Sequence, residues 1–237
     1  MSAWKPKRFW KSVTVEPFEG SFTVRLDARQ VKTPGKVPLV VPTVALAQAI
    51  AREWDAQHGL VKPQTMPFTR AANSAIEKVA PQFDEVVALL AAYGDSDLLC
   101  YRATGPLALI ARQAAAWDPL LAWAATALGA ALQATPGVIH RPQPPAATRV
   151  LHDLTAAQTP FQIAAFHDLV SLSGSLILAF AVTQGRLAPA EAWELSRIDE
   201  VWQAEQWGID DDAAALANSK RLDFHQAAAF WALCSPV

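Results

Sequence analysis

The feature that most constrains the fold of this chain is a change of hydrophobic period near Thr43. Before it, apolar residues recur at every second position. Val13 and Val15 alternate with Ser12 and Thr14, and after Glu19-Gly20 the residues Phe22, Val24 and Leu26 alternate with Ser21, Thr23 and Arg25. Successive strand side chains point to opposite faces, so two such runs around a glycine-containing turn predict an antiparallel hairpin with one buried face. Further extended pieces are predicted over 30–33, stopped by Pro34-Gly35, and over 39–41, between Pro38 and Pro42. From Thr43 the period lengthens. Leu46, Ile50 and Trp54 fall four apart, which gives a helix with one apolar face, Thr43 as its N-cap and Gly59 as its stop.

The rest of the chain reads as helices. One is predicted over 69–79 and ends at Pro81, where the domain boundary is placed: residues 1–80 form a small α+β domain and residues 81–237 a helical bundle. Phe83, Val86, Val87 and Leu90 make one helical face closed by Gly94. Pro106 opens a helix, and Asp118-Pro119 opens another with proline at the first helical position, where its missing N–H is of no consequence. A proline-rich loop runs over 136–145. Thr159-Pro160-Phe161-Gln162 reads as a capping box. Helices are expected over 189–207 and 210–233. The most apolar stretch, 169–183, is shorter than the roughly 20 residues of a membrane span and contains Ser171, Ser173, Gly174 and Ser175, so it reads as a buried core helix. The fold class is α+β, a small antiparallel sheet with helices followed by a larger all-α region.

Composition narrows the function. Hydrophobic residues make up 52% and charged residues 18%, with Lys+Arg 20 against Asp+Glu 22. Disorder is excluded at that hydrophobicity, and a nucleic-acid binder needs a concentrated basic surface that a net charge of −2 does not suggest. Lys5, Lys7, Arg8 and Lys11 are followed by no apolar run, so the start does not read as a secretory signal. Cys100 and Cys234 stand in no CxxC pattern and read as buried, reduced thiols of an intracellular protein. No GxxxxGK or GxGxxG loop occurs, and His58, His140, His152, His167 and His225 have no metal-ligand spacing. Asp95-Ser96-Asp97 reads as a cap for the segment after it. Asp210-Asp211-Asp212 reads as helix-start acids or as an acidic patch for a partner. Asp199, Glu200, Gln203, Glu205 and Gln206 share a helix with Trp193, Trp202 and Trp207, which makes either a packed helix with a solvated face or a contact surface. No constellation specifies a reaction.

Ordered strings along nearly the whole chain resemble the Atp-twelve family, assembly chaperones of the ATP synthase catalytic head. They are Arg8-Phe9-Trp10-Lys11, Leu26-Asp27, Arg29, Lys32-Thr33-Pro34, Leu46-Ala47, Ile50-Ala51 and Glu53-Trp54-Asp55-Ala56-Gln57. Met66-Pro67, Asp97-Leu98-Leu99-Cys100-Tyr101-Arg102, Gln113, Trp117-Asp118-Pro119-Leu120, Gly174-Ser175, Glu200 with Gln203, and Trp207-Gly208 followed by acids continue them. The resemblance implies a non-enzymatic chaperone without cofactor or metal. Its partner would be the ATP synthase α subunit, whose β-facing surface it covers until the catalytic head assembles. It also implies that Trp54, Asp55, Glu200, Gln203, Trp207 and Asp210 bind the partner. The implied location is the bacterial cytoplasm, or the mitochondrial matrix for a mature eukaryotic form.

Two positions depart from the family. Ala28 stands where glycine is frequent, and His167-Asp168 stand where a glutamate is frequent some seven residues before Gly174-Ser175. Two competing readings make separate demands. A small-molecule or metal-dependent enzyme would need Glu200, Asp210 and Asp212 to converge in a concave pocket. A purely structural helical scaffold would expose no sizeable apolar patch.

Overall fold

The strand register follows from a two-residue turn. In the computed structural model, which describes residues 7–235, β1 (Val13–Phe18) and β2 (Ser21–Leu26) pair antiparallel with Phe18 opposite Ser21. Glu19 and Gly20 between them have φ of 48° and 78°. Positive φ at both central residues gives the turn a twist that matches the two strands. β3 (Arg29–Gln30) and β4 (Val40–Val41) both pair antiparallel with β2, which is therefore the centre of the sheet. The basic opening of the sequence lies in part outside the described residues, Lys5 among them.

The turn between β2 and β3 explains the alanine departure. The left-handed residue there is Asp27, with φ 53°, and not its neighbour Ala28. The Asp27 carboxylate accepts from the Ser12 amide at 2.9 Å and the Lys11 amide at 3.0 Å, which holds its carboxyl below the ordinary range. Aspartate tolerates the left-handed region because its short side chain can bond locally.

Val24, Leu26, Leu39 and Val41 form the buried side of the sheet, with Leu46, Ala47 and Ile50 of α1 (Val44–Asp55) buried beside it. Thr43 caps α1, its hydroxyl oxygen accepting from the Leu46 amide at 3.1 Å. Pro81 does not end the next helix. α2 (Pro67–Ser74) continues through a π turn at Ala75–Val79 and a 3-10 turn at Ala80–Gln82 into α3 (Phe83–Ala91). Proline removes one N–H and crowds the carbonyl four residues back, and a wider turn followed by a tighter one absorbs both.

β5 (Tyr101–Arg102) pairs parallel with β6 (Thr135–Pro136), and α4 (Leu107–Trp123) lies between them in sequence. The helix start expected at Asp118-Pro119 is absent, because Pro119 sits inside α4. Trp117, Leu120 and Leu121 are buried on either side of it, while Ala115, whose carbonyl would have bonded residue 119, is exposed to water. Core burial outweighs the roughly 3 kcal/mol that an interior proline costs.

α5 (Pro145–Ala156), α6 (Pro160–Ser173), α7 (Leu176–Thr183), α8 (Pro189–Leu195), α9 (Ile198–Trp207) and α10 (Asp211–Leu233) follow. The apolar stretch over 169–183 is thus two helices, divided at Gly174 with φ 72°. The stretch over 189–207 also divides, at Ser196-Arg197, where the buried Ser196 hydroxyl donates to the Trp193 carbonyl at 2.7 Å. Among the described residues no helix is long and apolar enough to cross a membrane.

By contacts the chain forms two units. One comprises residues 1–83, 160–164 and 229–237, the other residues 84–159 and 165–228. In the second unit a fully buried carboxylate ties the start of α7 to the segment before β5. Asp97 accepts from the Ser175 hydroxyl at 2.8 Å, the Leu99 amide at 3.0 Å and the Ile177 amide at 3.0 Å. Burial pushes its carboxyl up to about 6, against these three donors, which act to lower it. The acid expected to cap the next segment does so at Leu99, and it also holds a helix nearly eighty residues away.

Candidate protein-docking surface

Three side chains of α4 hold the two helices before α10, two of them on the inner side of α9 and one at the end of α8. Gln113, buried, accepts from the Ala103 amide at 2.8 Å and donates to Asp199 at 2.6 Å. Arg112 makes a two-point ion pair with Glu205, at 2.8 and 2.9 Å, and its guanidinium lies 5.6 Å from the Trp202 ring centroid. That pair holds the Glu205 carboxyl below its ordinary range and raises Arg112, chiefly through the hydrogen bond itself. The Trp117 indole donates to the Leu195 carbonyl at 2.9 Å. Asp199, Trp202 and Glu205, three apart along α9, therefore meet α4.

On another side of α9, Glu200, Gln203 and Trp207 fall at the spacing that makes one helical stripe, and all three are exposed. Glu200 is bonded by Arg197 at 2.9 Å. α9 ends at Gly208, whose φ of 93° excludes other residues without strain. Ile209 follows, and the Asp210 carboxylate caps α10 by accepting from the Ala213 amide at 2.9 Å. Asp211 and Asp212 occupy the first turn, where acids complement the helix dipole.

The unusual property of this region is how little of it is buried. Trp207 is 79% exposed, Ile209 75% and Leu216 57%, and no residue from 199 to 223 is buried. Packing resumes at Phe224, whose ring lies 5.8 Å from Trp193. Covering Trp207 and Ile209 would recover on the order of 2–3 kcal/mol each. Leu107, Val138 and Ile139 are also exposed, at the start of α4 and after β6.

Trp54 and Asp55 belong to the first unit, in a string where Glu53, Trp54, Asp55 and Gln57 each touch other residues of that unit while the buried Trp54 indole N–H has no hydrogen-bond partner. Glu53 accepts from the amides of Phe68 and Thr69, at 2.6 and 2.7 Å, and from the Thr69 hydroxyl, so it supplies the cap that α2 lacks at Met66. Its burial raises its carboxyl above the ordinary range. Trp54 meets the buried Trp10 edge to face at 5.3 Å between centroids. Asp55, two-thirds exposed, pairs with Arg8 at 3.1 Å. Gln57 donates to the Glu53 carbonyl and the Thr65 hydroxyl and accepts from the Lys62 amide at 2.8 Å. A shallow hollow of about 460 Å³ lies beside Asp55, lined by Val13, Ala51, Arg52, Ala56 and His58.

Residues 7–125, half of the chain, match the family of the ATP12 chaperone protein. The chain belongs to this family. Among solved structures, Atp12 of Paracoccus denitrificans is 52% identical at a TM-score of 0.94, covering 97% of this chain and 98% of that one. A point mutant of the same protein superposes at 0.95 with the same identity and coverage. A protein of Agrobacterium tumefaciens described as a candidate chaperone is 45% identical at 0.90, over 95% of this chain and 85% of that one. The mitochondrial protein atp12 of Schizosaccharomyces pombe is 28% identical, over 90% of this chain and 77% of its own. The similarity to the solved structures spans the sheet and the helices alike, so the α+β architecture is that of the family.

The six residues singled out from the sequence thus lie in two places. Trp54 and Asp55 end α1, whereas Glu200, Gln203 and Trp207 line one stripe of α9 and Asp210 caps α10. The sequence reading missed Ile209 and Leu216 as exposed apolar residues and gave Arg112 no role. An isoleucine directly after the helix-ending Gly208 was the available signal. The carboxylates of the enzyme reading, Glu200, Asp210 and Asp212, are all exposed on helical surface, and no group of three His, Cys, Asp or Glu that could hold a metal occurs among the described residues.

Proposed function

We propose that this protein is a non-enzymatic assembly chaperone of the F-type ATP synthase. In this reading it binds the newly made α subunit and shields its β-facing surface until the catalytic head assembles. The observation that carries the reading is the exposure of Trp207, Ile209 and Leu216 along a stretch whose first helix, α9, is held from behind by Arg112 and Gln113. A chaperone for an unfinished interface needs a surface that can replace the missing neighbour and then release it, and such surfaces have an apolar centre with a polar rim. Glu200, Gln203, Trp207 and Asp210 are the proposed contacts on this face, with Trp54 and Asp55 a second contact in the first unit. The proposed setting is the bacterial cytoplasm, or the matrix for a mitochondrial member.

The test is aggregation of isolated α subunit in the presence of the purified protein. Stoichiometric suppression without ATP is expected. The proposal fails if the protein neither suppresses aggregation nor co-purifies with the α subunit.

A further inference from the structure

β1 is an edge strand whose outer side bonds nothing. Among the described residues it pairs only with β2. In an antiparallel pair, alternate residues exchange backbone bonds with the partner, and the residues between them point their N–H and C=O groups away. The Asp27 amide donates to the Ser12 carbonyl at 3.0 Å, in the register that sets Val13 opposite Leu26. Ser12, Thr14, Glu16 and Phe18 therefore bond towards β2, and Val13, Val15 and Pro17 turn outward. The amides of Val13 and Val15 and the carbonyls of Val13, Val15 and Pro17 have no partner among the described residues. Val13 and Val15 are half-buried, Pro17 is exposed, and Val13 lines the shallow hollow beside Asp55.

The acids near this edge are engaged: Glu16 by Arg25 at 2.6 Å, Asp27 by the Lys11 and Ser12 amides, and Asp55 by Arg8 at 3.1 Å. Arg52, exposed in the wall of the hollow, has no ion-pair partner among the described residues. Glu19 also has none, but it lies in the hairpin turn, about 20 Å along the strand from Val13. We propose that β1 is a docking edge for an extended protein segment. The segment adds as a further strand through the free groups of Val13, Val15 and Pro17 and places an acidic side chain in the hollow beside Arg52. The free groups recur at every second residue, about 6.6 Å apart, which is the spacing that another extended main chain presents. A helix has satisfied its own backbone groups and has none to return. Pro17 has no N–H and closes the ladder at that end, so the edge suits a short segment. Val13 and Val15 share a face with their partners Leu26 and Val24, the buried side of the sheet beside α1. Alternate side chains of the added strand point the same way, towards Ala51, Ala56 and Arg52. Charge complementarity then selects an acid for that position, since the hollow holds a free cation and an acid already paired. Suppression of α-subunit aggregation neither requires nor excludes this edge.

The experiment uses the full chain and end-blocked, labelled peptides of seven residues, with threonine and valine alternating about a central glutamate or lysine. Amide exchange followed by NMR reads the site directly. The glutamate peptide should slow exchange at Val13 and Val15 and leave Thr14 and Glu16, already bonded to β2, unchanged. At low salt it should bind about five-fold more tightly than the lysine peptide, and Arg52→Glu should reverse that preference. Arg52→Ala, which should equalise the two peptides, keeps the test available if Arg52→Glu does not fold. Methylation of the peptide's backbone nitrogens should weaken binding at least about ten-fold. Absence of protection at Val13 and Val15, undiminished binding of the methylated peptide, or equal or tighter binding of the lysine peptide overturns the inference. So does a dimer of the free chain in which those two amides are already protected, because the edge would then belong to a second copy.

Discussion

The Asp97 knot and the α9–α10 face are opposites within one structural unit. At Asp97 a charged group is fully buried and every bond it makes is internal. Around Trp207 large apolar groups stand in water. The first arrangement spends polar groups on the interior to join segments distant in sequence. The second leaves apolar area unused by the fold. Stability therefore concentrates in the first region, and the second is free to serve association.

The largest expected effect is at the knot. Asp97→Ala leaves the buried Leu99 and Ile177 amides and the Ser175 hydroxyl without their acceptor, at about 1–3 kcal/mol each. Urea unfolding is expected to show a loss of at least about 3 kcal/mol; a loss below 1 would erase the contrast between the regions.

The same carboxylate gives a pH signature of comparable size. Its folded value, about 6, lies above the ordinary 3.8 of an aspartate, so its contribution to stability is fully present below the unfolded value and is lost as pH rises to about 6. The loss amounts to about 3 kcal/mol between pH 4 and 6. Burial shifts Glu53 in the same direction, so the measurement compares wild type with Asp97→Asn, whose stability should lack this component of the slope. Parallel curves for the two proteins would refute it.

Gly94→Ala comes next. A Cβ there would stand 2.8 Å from Leu151 Cδ1, and the overpacking is expected to cost about 1–2 kcal/mol in thermal or chemical unfolding, unless Leu151 can turn aside.

The smallest effects are expected on the exposed face. Trp207→Ala and Glu200→Lys should each shift stability by no more than about 0.5 kcal/mol, while reducing capture of the α subunit in a pull-down. A substantial loss of stability from either would mean that the face belongs to the fold's own core after all.

Parts of the molecule were legible because their signals are local. The hairpin needs only alternation and two turn residues, and the α1 cap needs only Thr43 three positions before Leu46. The proline readings at 81 and 119 went wrong for the opposite reason. Whether proline ends a helix depends on what is buried to either side, and beside Pro119 the buried Trp117 is held by Leu195, far along the chain. The stripe of Glu200, Gln203 and Trp207 was visible as spacing. Its exposure was not, because tryptophans at helical intervals describe a core as readily as a contact surface.

The sequence by itself determined the α+β class, the hairpin register, the run of helices and, through ordered motifs, the family. Tertiary structure alone decided that α4 runs through Pro119, that Asp97 is a buried tie and not only a cap, and that residues 199–223 hold no buried side chain. The physical reason is common to all three. Period and capping are properties of neighbours along the chain, whereas burial is set by what the rest of the molecule places opposite.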